Sequence, residues 1–474
     1  MAETKPTSHI VVTSIPLFSH ESSVIEFCKR LIHVNNHFHV TCIFPTIDAP
    51  IPATLKLLES LPSTIHCTFL PPINKQDLPQ DVPLQIEHAV TKSMPSFRDS
   101  LTSLCSNSTT PLVAMVVDPF ANQALEIAKE FNLLSFLYFP VSSMTTSLHL
   151  YLPILDQQVL GQYINHTDPI QIPGCIPIHG QDLPPTFFQD RLSIAYETIL
   201  RQTKRFPLAD GVLINSFSKM EESTARALME NRDNIINNTQ LVYLVGPIIQ
   251  TGSNQLNESL CMKWLENQIP NSVLYVSFGS RGSLSQEQIN ELALGLELSG
   301  QKFLWVLREP SNFENLGDHS AKTDPLQYLP NGFLERTKEQ GLVISFWAPQ
   351  TRILGHISTG GFLTHCGWNS ILESISLGVP MITWPLFGEQ RLNTILLVEG
   401  LKVGLKVKFN ENGIAEREEI AKVVRDLMLG EERIGIQQRI EELKDAAASA
   451  LEEDGSSTKS LSQLGTKMES NARK

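Results

Sequence analysis

The sequence is poor in charge, poor in aromatic residues and free of paired cysteine motifs, and each shortage narrows what the chain can be. Charged residues make up 18% of its 474 positions and aromatic residues 7%, against 42% hydrophobic residues. That balance argues for a globular chain and against a disordered one. Lys and Arg number 37 against 50 Asp and Glu, a formal net charge of −13. Such acidity argues against a general nucleic-acid binder, because phosphate backbones are held by cations. It leaves room for a nucleotide ligand, since a helix N-terminus and backbone N–H groups hold a diphosphate locally.

The seven cysteines, Cys28, Cys42, Cys67, Cys105, Cys175, Cys261 and Cys366, are odd in number and widely spaced, with no C-x-x-C pair. They read as reduced, mostly buried thiols of a cytoplasmic protein rather than a disulfide framework or a zinc site. The most apolar stretch, 131–155, is interrupted by Pro140, Ser142, Ser143 and His149, so no membrane span is expected. The start of the chain, Met1 to His9, is polar and lacks a signal-peptide core. The sequons at Asn107, Asn165, Asn237 and Asn257 are therefore expected to stay unmodified. Two phosphate fingerprints are also missing: no G-x-G-x-x-G follows the first strand, and no G-x-x-x-x-G-K-[ST] occurs anywhere.

What is present is an alternation. Short apolar runs recur at Ile10–Val12, Val40–Phe44, Cys67–Leu70, Leu112–Val117, Leu134–Phe139, Gly211–Ile214 and Val242–Val245. Helical patterns such as Ser22–Val34, Ile86–Leu104 and Ala121–Phe131 lie between them. Runs of this length without polar alternation suit strands covered on both faces, and strand–helix alternation implies a doubly wound parallel sheet. The pattern restarts at Leu274–Phe278, Phe303–Leu307, Leu342–Ser345, Phe362–Thr364 and Met381–Trp384. Two α/β domains are expected: 1–246, a turn-rich linker 247–257, a second domain 258–455, and a final helical segment 456–474 packing back on the first. Ser311–Pro325 reads as a polar surface loop. Open sheets of this kind bind ligands outside the carboxyl ends of their strands.

The chemistry concentrates in WAPQTRILGHISTGGFLTHCGWNSILESISLGVPMITWPLFGEQ, from Trp347 to Gln390. A strand feeds through His365, Cys366 and Gly367 into a helix with Glu373 about one turn in. Gly367 permits close backbone approach, and Asn369 or Ser370 is placed to cap the helix. A helix start carrying His365, Asn369 and Ser370 suits an anion. Trp347 offers an aromatic face beside Ala348 and Gln350. Glu389 and Gln390 present the carboxylate and amide that neighbouring sugar hydroxyls require.

This segment resembles the signature box of the plant secondary-product UDP-glycosyltransferases, the inverting family 1, and the likeness runs along essentially the whole chain. It is similar above all to the branch that glucosylates hydroquinone-like phenols and phenylpropanoids, through stretches such as FLERTK, ALGLE and IPGCIP. The resemblance implies a GT-B-type α/β fold, two Rossmann-like doubly wound parallel-sheet domains facing across a cleft. It implies transfer of glucose from UDP-glucose to a hydroxyl of a small phenolic acceptor, a phenylpropanoid, hydroquinone-like compound or flavonoid aglycone, giving a β-O-glucoside. By the same resemblance Trp347 stacks on uracil and the Ala348 backbone meets its edge. Gln350 and Glu373 hold the ribose, while His365, Asn369, Ser370, Ser280 and the Gly367 backbone hold the diphosphate. Trp368, Glu389 and Gln390 hold the hexose. Gln390 at the end of the box goes with glucose.

The family's catalytic pair falls on His20 and Asp118, His20 in the loop after the first strand and Asp118 at the end of the fourth. A neutral histidine suits the role of base, and a carboxylate suits that of orienting it. Ser19 and Glu21 depart from the family pattern around His20, and Glu21 adds a negative charge that raises a histidine pKa. Arg281 stands where glycine is common and reads as a solvated side chain. D-x-D, the metal-holding motif of the other large sugar-transferase architecture, does not occur. No cofactor and no metal are therefore expected. Phe18, Ile86, Phe120 and Leu148 are candidates to line the acceptor pocket, and each equally fits plain core. The expected partners are the UDP-sugar and the acceptor, with no nucleic acid, no membrane span and a monomeric chain. Attachment of sugar to carbon, prompted by Asp118-Pro119-Phe120, and a non-catalytic UDP-sugar sensor, prompted by Ser19 and Glu21, remain the alternatives.

Overall fold

A computed structural model describes residues 8–108, 110–188, 190–230, 240–250, 258–310 and 324–471. The chain forms two compact units. One comprises the chain up to Gln250 together with Ala447 onward; the other runs from Thr251 to Ala446. The carboxyl-side division falls inside the helix Glu432–Leu451, a few residues ahead of the expected boundary at Gly455. Most of the expected linker, 251–257, and most of the expected surface loop, 311–323, lie outside the described residues.

The first unit is built on seven parallel strands: β1 (Ser8–Thr13), β2 (Phe38–Phe44), β3 (Ile65–Phe69), β4 (Leu112–Val117), β5 (Leu134–Phe139), β6 (Gly211–Ile214) and β7 (Leu241–Leu244). Their order in the sheet is β3-β2-β1-β4-β5-β6-β7. The second unit has six: β8 (Val273–Ser277), β9 (Lys302–Leu307), β10 (Gly341–Ser345), β11 (Thr359–Thr364), β12 (Met381–Thr383) and β13 (Gly404–Lys406), ordered β10-β9-β8-β11-β12-β13. Central strands such as β1 and β8 are buried along their whole length, which their Val, Ile and Leu content requires once helices cover both faces.

Both orders contain one reversal. In the first sheet the chain winds outward from β1 to β3, then returns to place β4 beside β1. In the second it winds outward from β8 to β10, then returns to place β11 beside β8. The loops leaving the two strands at such a reversal turn to opposite faces of the sheet, and a crevice opens between them. His20, Asp118, Ser280 and His365 each follow one of these four strands.

The final helix, Ser456–Glu469, belongs to the first unit and buries Leu461, Leu464 and Met468 in the cluster that holds Ile10, Phe27 and Phe38. Asn35, ending the helix Phe18–Val34, donates to the Leu461 carbonyl at 3.1 Å. Gly465 makes this approach possible, since a Cβ there would stand 2.3 Å from the Asn35 amide oxygen.

The helix Ser143–Gln158 follows β5 and is buried nearly all round. Its start is fixed twice. Ser142 accepts from the Thr145 N–H at 3.0 Å, and the buried Glu221 carboxyl accepts from the Ser143 and Met144 N–H groups, each at 2.8 Å. Ser216 Oγ donates to the same carboxyl at 2.7 Å. These donors have no water to turn to if the carboxyl is removed. Glu221→Ala should therefore destabilise the first unit by about 3 kcal/mol, and Glu221→Gln, which keeps one acceptor, by less. Urea denaturation followed by circular dichroism measures both, and an unchanged midpoint for Glu221→Ala would contradict the anchoring role.

Candidate functional site

The first unit's reversal brings His20 and Asp118 together. His20 does not sit in a loop as expected. The helix Phe18–Val34 starts earlier than its apolar pattern indicates, and its first turn carries His20, whose N–H bonds the Leu17 carbonyl at 3.0 Å. Asp118 directly follows β4, as the N-cap of the Pro119–Ala121 turn, and is fully buried. One of its oxygens accepts from the Phe120 N–H at 2.9 Å, which fixes the carboxyl plane. The other lies 2.6 Å from His20 Nδ1. A carboxylate can only accept, so Nδ1 carries the hydrogen and Nε2 keeps its lone pair. The His20 side chain is 17% exposed. A base held in one tautomer, partly open to a ligand, is the result.

Phe120 is half-buried and meets the His20 ring edge-on, with centroids 6.0 Å apart. Phe18 and Ile86 are also half-buried, and Ile86 lies on the helix Val82–Asn107, which packs against the Pro119–Ala121 turn. Leu148 is fully buried. Its neighbour His149 is the residue whose ring reaches Phe120, at 6.0 Å between centroids.

Glu21 behaves differently from the simple added charge expected of it. It is buried and accepts a hydrogen bond from Thr54 Oγ1 on the helix Pro52–Leu58. Burial raises its pKa to about 7, against smaller lowering contributions from Thr54 and His20. Near neutrality it is therefore part protonated, and its field on His20 is correspondingly weakened.

In the second unit the expected residues again follow strands. Ser280 follows β8 after Gly279, whose φ is +73°. Trp347 and Ala348 follow β10, and His365 follows β11. Glu389 and Gln390 lie beyond β12 at the start of the helix Gln390–Ile395. The His365 ring is held between two glycines: a Cβ on Gly279 would fall 2.5 Å from it, and one on Gly367 2.4 Å. Both positions must lack a side chain for the imidazole to fit. Burial, with the Arg308 charge as the smaller cause, lowers the His365 pKa to about 4, so the ring is neutral and acts as a hydrogen-bonding group. Among the described residues its buried Nδ1 has no hydrogen-bond partner.

The helix Trp368–Leu377 begins earlier than expected, its N-cap falling at Gly367 instead of Asn369 or Ser370. Gly367 is its N-cap and no side chain caps it, so Asn369 and Ser370 lie inside the first turn rather than capping it. The first N–H groups of any α-helix have no partner within the helix, and a glycine N-cap brings no side chain to them. Gln350, Ser370 and Glu373 form one network. The Gln350 amide donates to Ser370 Oγ at 2.9 Å and to Glu373 Oε2 at 2.7 Å. Burial lifts the Glu373 carboxyl to about 7 despite the Gln350 contact. Trp368 is 3% exposed. Gln390 is tied to its own loop, its amide oxygen accepting from the Leu386 N–H at 2.7 Å and the Phe387 N–H at 2.9 Å. Its N–H2 group is the part suited to meet a ligand.

Two arginines complete the second unit's constellation. Arg281 is half-buried, and burial lowers its pKa, which overturns the expectation of a solvated side chain. Arg308, not singled out from the sequence, follows β9 with its guanidinium 5.8 Å from the Trp347 ring centroid, and burial lowers its pKa to about 10. The signal for it is positional: it ends a strand at the same edge as Trp347 and His365. Among the described residues no group of three or more His, Cys, Asp or Glu side chains is placed to hold a metal ion, and no helix is long and apolar enough to cross a membrane.

Comparison with known proteins gives three findings. Residues 254–431 match the family model described as UDP-glucoronosyl and UDP-glucosyl transferase. The chain is 46% identical to a hydroquinone glucosyltransferase of Rauvolfia serpentina, over 98% of each sequence. Solved structures superpose along nearly the whole chain. A UDP-glucosyltransferase from Polygonum tinctorium, described as capable of glucosylating indoxyl and solved in complex with 3,4-dichloroaniline, gives a TM-score of 0.90 at 42% identity, covering 99% of this chain and all of that one. UGT2 of Phytolacca americana, bound to UDP-2-fluoro-glucose and pterostilbene, gives 0.89 at 40% identity, covering 98% of this chain and all of that one.

The buried Glu21 makes a test of the first unit's electrostatics. Its pKa is raised on folding, so the folded chain holds the proton more tightly than the unfolded one. The associated stability is present below the unfolded value and is lost as pH rises towards 7. Glu21→Gln keeps an acceptor for Thr54 and removes this loss. The variant should gain on the parent across pH 4.5 to 7, by up to about 3 kcal/mol, and hold the difference above. Thermal denaturation at a series of pH values measures this; a constant difference would mean that Glu21 does not titrate there.

Proposed function

Because the chain belongs to the UDP-glucoronosyl and UDP-glucosyl transferase family, we propose that it transfers glucose from UDP-glucose to a hydroxyl of a small phenolic acceptor, with inversion to a β-O-glucoside. The observation that carries this reading is the 2.6 Å contact between His20 Nδ1 and Asp118, which leaves Nε2 as an oriented base. His20 takes the proton of the acceptor hydroxyl as its oxygen attacks the anomeric carbon. The bond from that carbon to the β-phosphate oxygen breaks, and its electron pair leaves with UDP. Asp118 stabilises the imidazolium formed on His20.

The second unit's residues serve the departing UDP. Trp347 stacks on the uracil, and the Ala348 backbone meets its edge. Gln350 and Glu373 take the ribose hydroxyls. The start of the helix Trp368–Leu377, where the N-cap is Gly367, offers its N–H groups to the diphosphate, with Ser280, Asn369, Ser370 and the neutral His365 beside it. Arg281 and Arg308 add positive charge to this edge of the sheet. The reading uses no metal: the sequence holds no D-x-D pair, and these donors and cations supply the stabilisation. The names of the compared proteins support a small aromatic acceptor, since hydroquinone, indoxyl and pterostilbene are what those proteins act on or bind.

His20→Ala should lower kcat with a phenol by about 10²–10⁴-fold and leave the dissociation constant for UDP unchanged, because His20 lies in the other unit from the nucleotide residues. Asp118→Asn should also lower kcat, since an amide does not hold the charged imidazole. Steady-state kinetics and calorimetry of UDP binding decide this; a His20→Ala enzyme of near parental kcat would remove the proposed base.

The sugar gives a second test. Glucose and galactose differ only in the direction of one hydroxyl, which Trp368, Glu389 and the Gln390 N–H2 group are proposed to read. Inverting it leaves a buried partner unpaired, so kcat/KM should fall by about five- to 150-fold from UDP-glucose to UDP-galactose. UDP-glucuronate brings a carboxylate towards Glu389 and should be nearly inactive. Equal values for UDP-glucose and UDP-galactose would show that these residues do not discriminate.

A further inference from the structure

His149 has no role in the reaction just described, yet it stands in an unusual place. It lies in the second turn of the buried helix Ser143–Gln158 and is 6% exposed. Its ring is packed edge-on against Phe120, with centroids 6.0 Å apart, and tilted against Phe139 at 6.4 Å. Phe120 meets His20 at the same 6.0 Å distance. One phenyl ring therefore connects the proposed base to a second imidazole.

An ordinary core position of this kind would hold a third phenylalanine, because an imidazole in an aromatic setting leaves two ring nitrogens to satisfy. Burial lowers the His149 pKa to about 4, so the ring is neutral, with one N–H donor and one lone pair. The helix that carries it is pinned at its start by Ser142 and Glu221, so the ring is held in place rather than free to swing to solvent.

Resting on the phenolic reading above, we infer that His149 determines acceptor specificity by hydrogen-bonding a second oxygen substituent of the acceptor ring, at the far side of Phe120 from the hydroxyl that His20 deprotonates. The favoured acceptor class is then a dihydroxybenzene or a phenol with an oxygen substituent distant from the reacting one. An acceptor with a methyl group there leaves the imidazole unpaired on binding. Sites built to pair a hydroxyl reject the analogue that lacks it more strongly than apolar sites sort by size.

The test uses the full chain, UDP-glucose, and two acceptors of nearly equal shape, 1,4-dihydroxybenzene and 4-methylphenol. The parent enzyme should favour the diol in kcat/KM by about ten- to 100-fold, after correction for its two equivalent hydroxyls. His149→Phe, which keeps the aromatic contacts with Phe120 and Phe139, should remove most of that preference by lowering the diol and sparing the methylphenol. His149→Asn, which keeps a donor and an acceptor, should retain part of it. A parent enzyme that turns over both acceptors equally would overturn the role of His149 without needing a variant. So would a His149→Phe enzyme that loses both acceptors in proportion while staying folded by circular dichroism. Absence of turnover with every phenol, with UDP binding intact by calorimetry, would instead overturn the phenolic reading and this inference with it.

Discussion

The hydrogen bond between His20 and Asp118 joins groups 98 residues apart, and it exists because β1 and β4 are neighbours in the sheet. Adjacent parallel strands end at the same level, so the first residues after each are brought within reach of one another. At most places in such a sheet the two following segments also turn to the same face and fill the space between them. At the reversal of strand order they do not. The first unit uses its one reversal for His20 and Asp118. The second uses the equivalent place, between β8 and β11, for Gly279, Ser280, Arg281, His365 and Gly367. The winding order of each sheet thus decides where chemistry is possible before any side chain is chosen.

What the side chains then face is a shortage of water. In the second unit a histidine, a glutamate and two arginines are all buried enough for their titration to move. Each shift favours the neutral form, so an anionic ligand would relieve the arginines while the carboxyl is partly protonated already. The glycines at 279 and 367 serve the same end by steric means: they let the His365 ring lie against backbone on both sides. Packing a polar ring this tightly fixes its direction, which is what hydrogen-bond recognition of a phosphate needs.

Much of this is legible in the sequence because central parallel strands have a plain signature. The runs Leu112–Val117, Leu134–Phe139 and Gly211–Ile214 coincide with β4, β5 and β6, and the others miss a strand end by up to about three residues. β13 leaves no such mark: it has three residues, Gly404–Lys406, lies at the sheet edge, and carries no apolar run. The helix Ser143–Gln158 escapes for the opposite reason. Buried on nearly every side, it has no polar face to give a helical period, and it contains Pro153. What holds its start is Glu221, far along the chain. His149 is not singled out from the sequence, although its neighbour Leu148 on the same helix is. Arg281 misleads because sequence alone does not tell a charged loop residue in water from one turned into a sheet edge.

Three histidines lie beyond the carboxyl ends of strands, and their surroundings divide the work among them. His149 packs against aromatic rings and His365 lies near a cation, and burial holds both near a pKa of 4. Neither can keep a proton taken from a hydroxyl near neutral pH, because an aromatic ring or an arginine does not stabilise the imidazolium as a carboxylate does. They can donate or accept a hydrogen bond without changing state. His20 has a carboxylate against its ring, and it is also the more open of the set to a ligand. On the proposed reading, the same imidazole is therefore a base where Asp118 supports it and a fixed polar contact where aromatic rings or arginines surround it. Moving a carboxylate, rather than a histidine, would be the change that redistributes these roles.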